Sequence, residues 1–399
     1  MTGEQQPLGP GPVVSVPSPD PVESSQMHTS RLADLSDRIG RAVTPLIVTL
    51  SVGAIVLAAT GRNPGSVYWL YFQQAAGSWT SIADTLAAAT PFLLTGIGTA
   101  IAFRAGFFNV GLEGSVYVGA FAAAWVGATW SAIPGSLLAA TALLGGALVG
   151  ALWVLLPALL RTYLAIDEVV TTLMLDYVAI ALTTYLVLDH FLYNTVGNAQ
   201  TPPILPRAEL SPLVTGTNLT IGAPLALALA IGYGWFLRRT RAGTEIRMVG
   251  DSPRFAAAVG FSPRRVAIVT FLVGGALGGL AGAMIVLGVL DNFTANFSTS
   301  PGFGFTGIAV AVLGMGNWLG LILASLFFGS LASAGGIVQL FGNVPIALTE
   351  ILQGTLMIFA GVRIVRARRR RARKVDAPAA EAMVGAHVSS GTAEKPRWK

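Results

Sequence analysis

Apolar runs of roughly bilayer length follow one another along this chain, joined by links rich in arginine. About 20 consecutive apolar residues suffice for a helix to cross a hydrocarbon core. With 53% hydrophobic and 11% charged residues among 399, against about 25% charged in soluble domains, the chain lacks the polar surface of a water-facing globule. The ten-residue alternating segments of a membrane β-barrel are absent as well. The sequence therefore predicts an all-α polytopic membrane protein.

Ten candidate spans can be drawn, at 42–60, 84–103, 106–130, 135–160, 168–188, 219–237, 264–290, 304–317, 319–340 and 345–362. The eighth is too short to cross comfortably and is expected to be a tilted or broken helix shielded by its neighbours. They form a transmembrane domain at 41–365. Residues 1–40 and 366–399 are expected to be largely disordered cytoplasmic tails, the second basic. The first apolar run begins near Ala42, so no signal peptide is expected.

Arginine sets the orientation. Arg31, Arg38 and Arg41 precede the first span, Arg104 and Arg161 fall in the next links on the same side, and seven arginines lie between 238 and 265. The run RIVRARRRRARK at 363–374 follows the last span, whereas the opposite links hold only Arg62 and Arg207. By the positive-inside rule, ten spans place both termini in the cytoplasm. The same rule accounts for the pI of about 9.9 without a nucleic-acid partner.

Two links on the opposite side are long. Residues 61–83 carry Tyr68, Trp69, Tyr71, Phe72 and Trp79, which suit an interfacial aromatic layer, and 189–218 carries Pro202, Pro203, Pro206 and Pro212. Each is either a surface for an extracytoplasmic partner or a plain connection. The run GGALGGLAG at 274–282 and the pair Gly146, Gly150 have the small-residue spacing that lets helices approach closely. The run lies inside a span rather than after a strand, so it is not a dinucleotide fingerprint.

Several chemistries are excluded. There is no cysteine, and His28, His190 and His387 make no metal-ligand spacing. The three lysines, Lys374, Lys395 and Lys399, all lie in the C-terminal tail, so no Walker A loop exists. No arginine ladder, selectivity-filter motif, catalytic triad or paired-carboxylate site is present. Neither enzymatic activity nor a cofactor is expected.

The segment 238–265 is the clearest functional signal. Ser252 suits an N-cap, Pro253 the first helical position and Gly260 a C-terminal stop. Ser262-Pro263 opens the next run in the same way. A short capped helix, Pro253 to Val259, on the arginine-rich side looks built to dock onto a cytoplasmic partner.

Polar groups inside spans are costly and mark candidates for a solute path. Glu113, with Asn109 and Gly106, Gly111 and Gly114 around it, suggests a helix that starts late near the inner face. Glu113 either lines a cavity there or pairs with Arg104 or another inner arginine to fix the packing. Asp167 and Glu168 suit the first turn of the fifth span through the helix dipole. Asp176 lies deeper, near Thr171 and Thr172. Asn292, Phe293, Asn296 and Phe297 follow the seventh span, where they suit either a ring-bearing polar solute or an ordinary interfacial loop. Gln353, near Glu350 in the last span, completes the candidates.

Three segments together carry a family resemblance: AFRAGFFNVGLEG at 102–114, DEVVTTLMLDYVA at 167–179, and GTEIRMVGDSPRFAAAVGFSP at 243–263. Over roughly residues 40–365 the chain resembles permease subunits of ABC importers for simple sugars, branched-chain amino acids and nucleosides, and is most similar to the nucleoside type. Ser115 stands where that group often has Gln, and Asp176 where Asn is common.

The resemblance implies a bacterial plasma-membrane permease working by alternating access. It also implies a cytoplasmic ABC ATPase, a second permease subunit (self or paralogue) and an extracytoplasmic substrate-binding lipoprotein as partners, with a nucleoside or other small polar solute. The ATPase would engage Pro253, Arg254, Phe255, Ala256 and Ala257, with Phe255 inserted in its cleft and Arg254 against its acidic rim. A monosaccharide or amino-acid substrate, or an ion-coupled carrier using Glu113 and Asp176, are the alternatives.

Overall fold

The computed structural model describes residue 44 and residues 46–362, apart from 194–198, 296, 299–301, 315, 343–344, 346 and 360. The expected tails at 1–40 and 366–399 and the candidate Asn296 lie outside the described residues. The described residues from Val48 onward pack as one unit.

The described residues are helical, with no strand named among them. In chain order the helices are α1 (Leu46–Ala59), α2 (Pro64–Ala76), α3 (Trp79–Arg104), α4 (Leu112–Thr129), α5 (Gly135–Trp153), α6 (Leu155–Leu164) and α7 (Glu168–Asp189). Then come α8 (Gly222–Arg239), α9 (Arg241–Asp251), α10 (Pro253–Ala258), α11 (Pro263–Ile285), α12 (Phe303–Leu313), α13 (Trp318–Gly342) and α14 (Ala347–Phe359). Among the described residues five stretches are long and apolar enough to cross a membrane: α3, residues 137–164, α7, residues 263–290 and α13. α1, α12 and α14 are shorter apolar helices.

Several boundaries differ from expectation. The link at 61–83 is not an irregular loop. Asn63 Oδ1 accepts the Gly65 N–H and Pro64 opens α2, while Ser78 caps α3 at Trp79, five residues before the expected start. The fourth span runs on to Leu164 through a turn at Val154, where α5 passes into α6. The third begins only at Leu112, because residues 105–111 are not helical. The seventh ends in a π-helical turn, Val286–Leu290.

The centre of the bundle is a seam of α4, α5 and α11 built on glycine. A Cβ on Gly279 would lie 2.1 Å from the Gly146 oxygen, and one on Gly150 would lie 2.5 Å from the Gly275 oxygen. A Cβ on Gly119 would lie 2.3 Å from Gly279 Cα. The glycine spacings at 146–150 and 274–282 thus meet each other, backbone against backbone, as small-residue packing requires.

Arginines gather at one end of this bundle. Arg104 closes α3, and Arg238 and Arg239 close α8. Arg161 pairs with Glu168 at 2.8 Å where α6 meets α7, and Arg264 at the start of α11 lies over the Tyr163 ring. Helices α9 and α10 sit at this same end, since Gly250 of α9 abuts the backbone of Arg104 and Ala105.

Candidate functional site

Between α3 and α4 the chain turns back into the bundle as non-helical backbone. Leu112, the first residue of α4, already packs against Gly98, six residues before the end of α3. At 1.5 Å per helical residue, α4 starts about 9 Å inside the end of α3. Backbone amides at such a depth need partners, because lipid supplies none.

One face of α7 provides them. Glu168, Thr172 and Asp176 are spaced four residues apart and therefore stack on one side of the helix. Glu168 Oε1 accepts the Phe108 N–H at 3.4 Å, Thr172 Oγ1 the Val110 N–H at 3.3 Å, and Asp176 Oδ1 the Gly114 N–H at 2.7 Å. Asn109 Oδ1 accepts the Gly111 N–H at 3.0 Å. The segments 102–114 and 167–179 are thus two halves of one structure, an unwound stretch of backbone and the helix face that satisfies it. Asp167 caps α7, accepting from Val169 and Val170.

Glu113, only 3% exposed, turns the other way. Its Oε1 accepts from Ser298 Oγ and its Oε2 from the Gly304 N–H, both at 2.5 Å. Gly304 lies in the first turn of α12, so the carboxylate caps that helix where the dipole favours negative charge. Of the two roles open to Glu113, pairing with Arg104 or another arginine does not occur among the described residues. The backbone N–H of a second broken helix takes that place.

Beside the first turn of α12 lies a cavity of about 400 Å³. Asp84, Thr90 and Phe92 of α3, Asn218 and Thr220 of the α7–α8 link, Met284, Ile285 and Val289 around the π-turn, Phe303, and Ser333 and Ile337 of α13 line it. The Phe92 and Phe303 rings lie 5.5 Å apart, and Phe303 stacks on Phe297 at 6.1 Å. Asp84 Oδ1 accepts the Asn218 N–H at 3.0 Å.

Helix α10 is present as its caps predict. Ser252 Oγ accepts the Phe255 N–H at 3.4 Å, and Gly260 ends the turn at φ +96°. Ala256 is buried against the rest of the protein, whereas Phe255 is 58% and Val259 54% exposed, and Arg254 and Ala257 also face outward. Two large apolar side chains are thus presented beside a guanidinium.

The comparisons with known proteins agree with this architecture. The family model described as a branched-chain amino acid transport system permease component matches residues 81–361. The chain belongs to this permease family. It is 32% identical to the glucose ABC transporter permease protein TsgB13 of Haloferax volcanii, over 80% of this chain and 86% of that one. It is 30% identical to the guanosine ABC transporter permease protein NupP of Bacillus subtilis, over 81% of this chain and 93% of that one. It is also 30% identical to the nucleoside ABC transporter permease protein NupB of Lactococcus lactis, over 83% and 93%. The permease is a multi-pass membrane protein and not an enzyme; ATP is hydrolysed by a separate subunit.

The permease brings Asn109, Glu113 and Asp176 together around the start of α4, all buried. Phe293 is fully buried among Tyr117, Phe121 and Phe297, and its backbone is tied to Thr201 in both directions. Asn292 is half-buried beside it, and Gln353 is buried in α14. None of these six lines the cavity. Sequence reasoning missed its residues, Asp84, Asn218 and Ser333 above all, because they come from links and helices far apart in the chain.

Proposed function

We propose that the permease carries nucleosides inward by alternating access, with the cavity beside α12 as the chamber that holds them. The observation that carries this reading is the pairing of aromatic walls, Phe92 and Phe303, with polar groups at Asp84, Thr90, Asn218, Thr220 and Ser333. A base stacks on a ring face, and a carboxylate accepts from a ribose diol. Pockets that combine apolar walls with a few polar groups orient small polar solutes in this way. Two of the relatives cited carry guanosine or nucleoside in their names, which supports the same reading.

In this reading ten spans place both termini in the cytoplasm of a bacterial cell, with 41–365 as the permease domain between two tails. The gathering of Arg104, Arg161, Arg238, Arg239 and Arg264 at one end of the bundle supports that sidedness. The ATPase docks at that end on α10, where Phe255 enters its cleft, Arg254 meets its acidic rim, and Pro253, Ala256 and Ala257 shape the helix. A second permease subunit and a substrate-binding lipoprotein complete the importer. Asn109, Glu113 and Asp176 brace the path rather than contact the solute.

A monosaccharide is the second reading, favoured by the Haloferax relative. Proteoliposomes holding the assembled importer decide between them. ATP-dependent uptake of guanosine or uridine, not displaced by glucose, is expected. Uptake of glucose alone replaces the nucleoside reading, and uptake that follows an ion gradient without ATP overturns the importer reading altogether.

A further inference from the structure

Two glycine contacts bracket the backbone from 104 to 113. At one end, a Cβ on Gly250 of α9 would lie 2.0 Å from the Arg104 oxygen, and one on Gly106 would lie 3.4 Å from Gly250 Cα. At the other end, a Cβ on Gly304 of α12 would lie 2.2 Å from the Glu113 nitrogen. No side chain intervenes at either end, so displacement of one backbone moves the next. Between the contacts, α7 holds the segment through Glu168 at Phe108 and Thr172 at Val110, and Asp176 holds Gly114 just beyond it. Gly106 adopts φ +88°, a conformation that glycine tolerates and other residues resist.

The segment therefore links the helix pair at the arginine-rich end to the wall of the cavity at α12. Glu113 closes the link, since its carboxylate grips both Ser298 and the first turn of α12, and Phe303 at that turn is a cavity wall. We infer that Glu113 is a positioning residue that transmits movement of α9 and α10 to Phe303, so that ATPase closure reshapes the solute chamber through the α12 N-terminus. This rests on the reading that the ATPase docks on α10. Its own content is the route, through Gly250, the 104–113 backbone and Glu113.

The chain contains no cysteine, so Ile337→Cys in the cavity wall gives a single reporter whose labelling by a membrane-impermeant maleimide can be followed with and without ATP. The assembled importer is used throughout. In the Ile337→Cys background, Glu113→Ala is expected to shrink the ATP-dependent change in labelling rate by about fivefold or more, the low end of ordinary coupling between sites. ATPase association should persist. Glu113→Gln, which keeps an acceptor for Gly304, should retain most of the change. An unaltered change in Glu113→Ala overturns the inference, as does loss of the change in Glu113→Gln to the same extent.

Should Glu113→Ala fail to assemble, Ser298→Ala is read instead. A partial loss supports the route; an unaltered change, or failure of both variants to assemble, overturns it in favour of a residue that only holds the fold. If the reporter alone shows no response to ATP, the docking reading fails and takes this inference with it.

Discussion

Asp176 meets Gly114 across the contact between α7 and α4, with Oδ1 2.7 Å from the glycine N–H. Its other oxygen has no hydrogen-bond partner among the described residues, and neither has the buried indole nitrogen of Trp153. The two groups share one niche, because a Cβ on Gly114 would lie 2.8 Å from Asp176 Oδ1 and 2.9 Å from Trp153 Nε1. Gly114 is the residue that makes room for both.

Gly114→Ala should therefore lower stability by about 1–3 kcal/mol, the usual cost of overpacking a filled core. The added methyl also meets Ala179 Cβ at 3.1 Å, so there is no open side toward which it can relax. Thermal unfolding of the detergent-purified permease, compared with wild type, measures the effect.

Asp176→Asn should leave the fold intact, since an amide oxygen accepts the Gly114 N–H as a carboxylate does. Asp176→Leu leaves that N–H unsatisfied in an apolar setting and should cost about 1–3 kcal/mol. The contrast between the two variants in the same unfolding assay isolates the acceptor from the charge.

Phe255→Ala should weaken association with the ATPase and abolish solute-coupled ATP hydrolysis. Exposed in α10, Phe255 contributes little to the permease itself, so stability should stay within about 0.5 kcal/mol of wild type. Co-purification of the ATPase with the variant is the direct measurement, and undiminished association would rule out the docking assignment.

Gly279→Leu should prevent assembly of the bundle. Even the first carbon of the new side chain would fall on the Gly146 backbone, so α5 and α11 must part. The expected result is loss of monodisperse protein on size exclusion. By contrast Gly336→Ala, with nothing within 4 Å of the new carbon, should behave as wild type.

Local signals were readable wherever structure depends on neighbours in sequence. Ser252, Pro253 and Gly260 predicted α10 because caps act within one turn, and the spacing of Gly146 with Gly150 and of 274–282 predicted a close seam. The late start of α4 was legible from Gly106, Gly111 and Gly114. Helix α2 was missed although Asn63-Pro64 is a start signal, because the aromatic content of 61–83 read as an interfacial loop. The partner of Glu113 lies 191 residues away in Gly304, and no periodicity or spacing encodes such a pairing. An arginine nearby in sequence was the natural expectation, and a backbone amide from far along the chain is what the fold supplies. The cavity was invisible for the same reason.

The ladder on α7 has a consequence for biogenesis. The Gly114 amide and its acceptor on Asp176 are separated by 62 residues. At synthesis rates of about 5–20 residues per second, the acceptor emerges roughly 3–12 s after the amide. Until then the unwound backbone at 105–111 cannot settle at its final depth without exposing bare N–H groups to lipid. Insertion of α4 must therefore remain provisional, held in the translocon or in water, until α7 arrives to complete it.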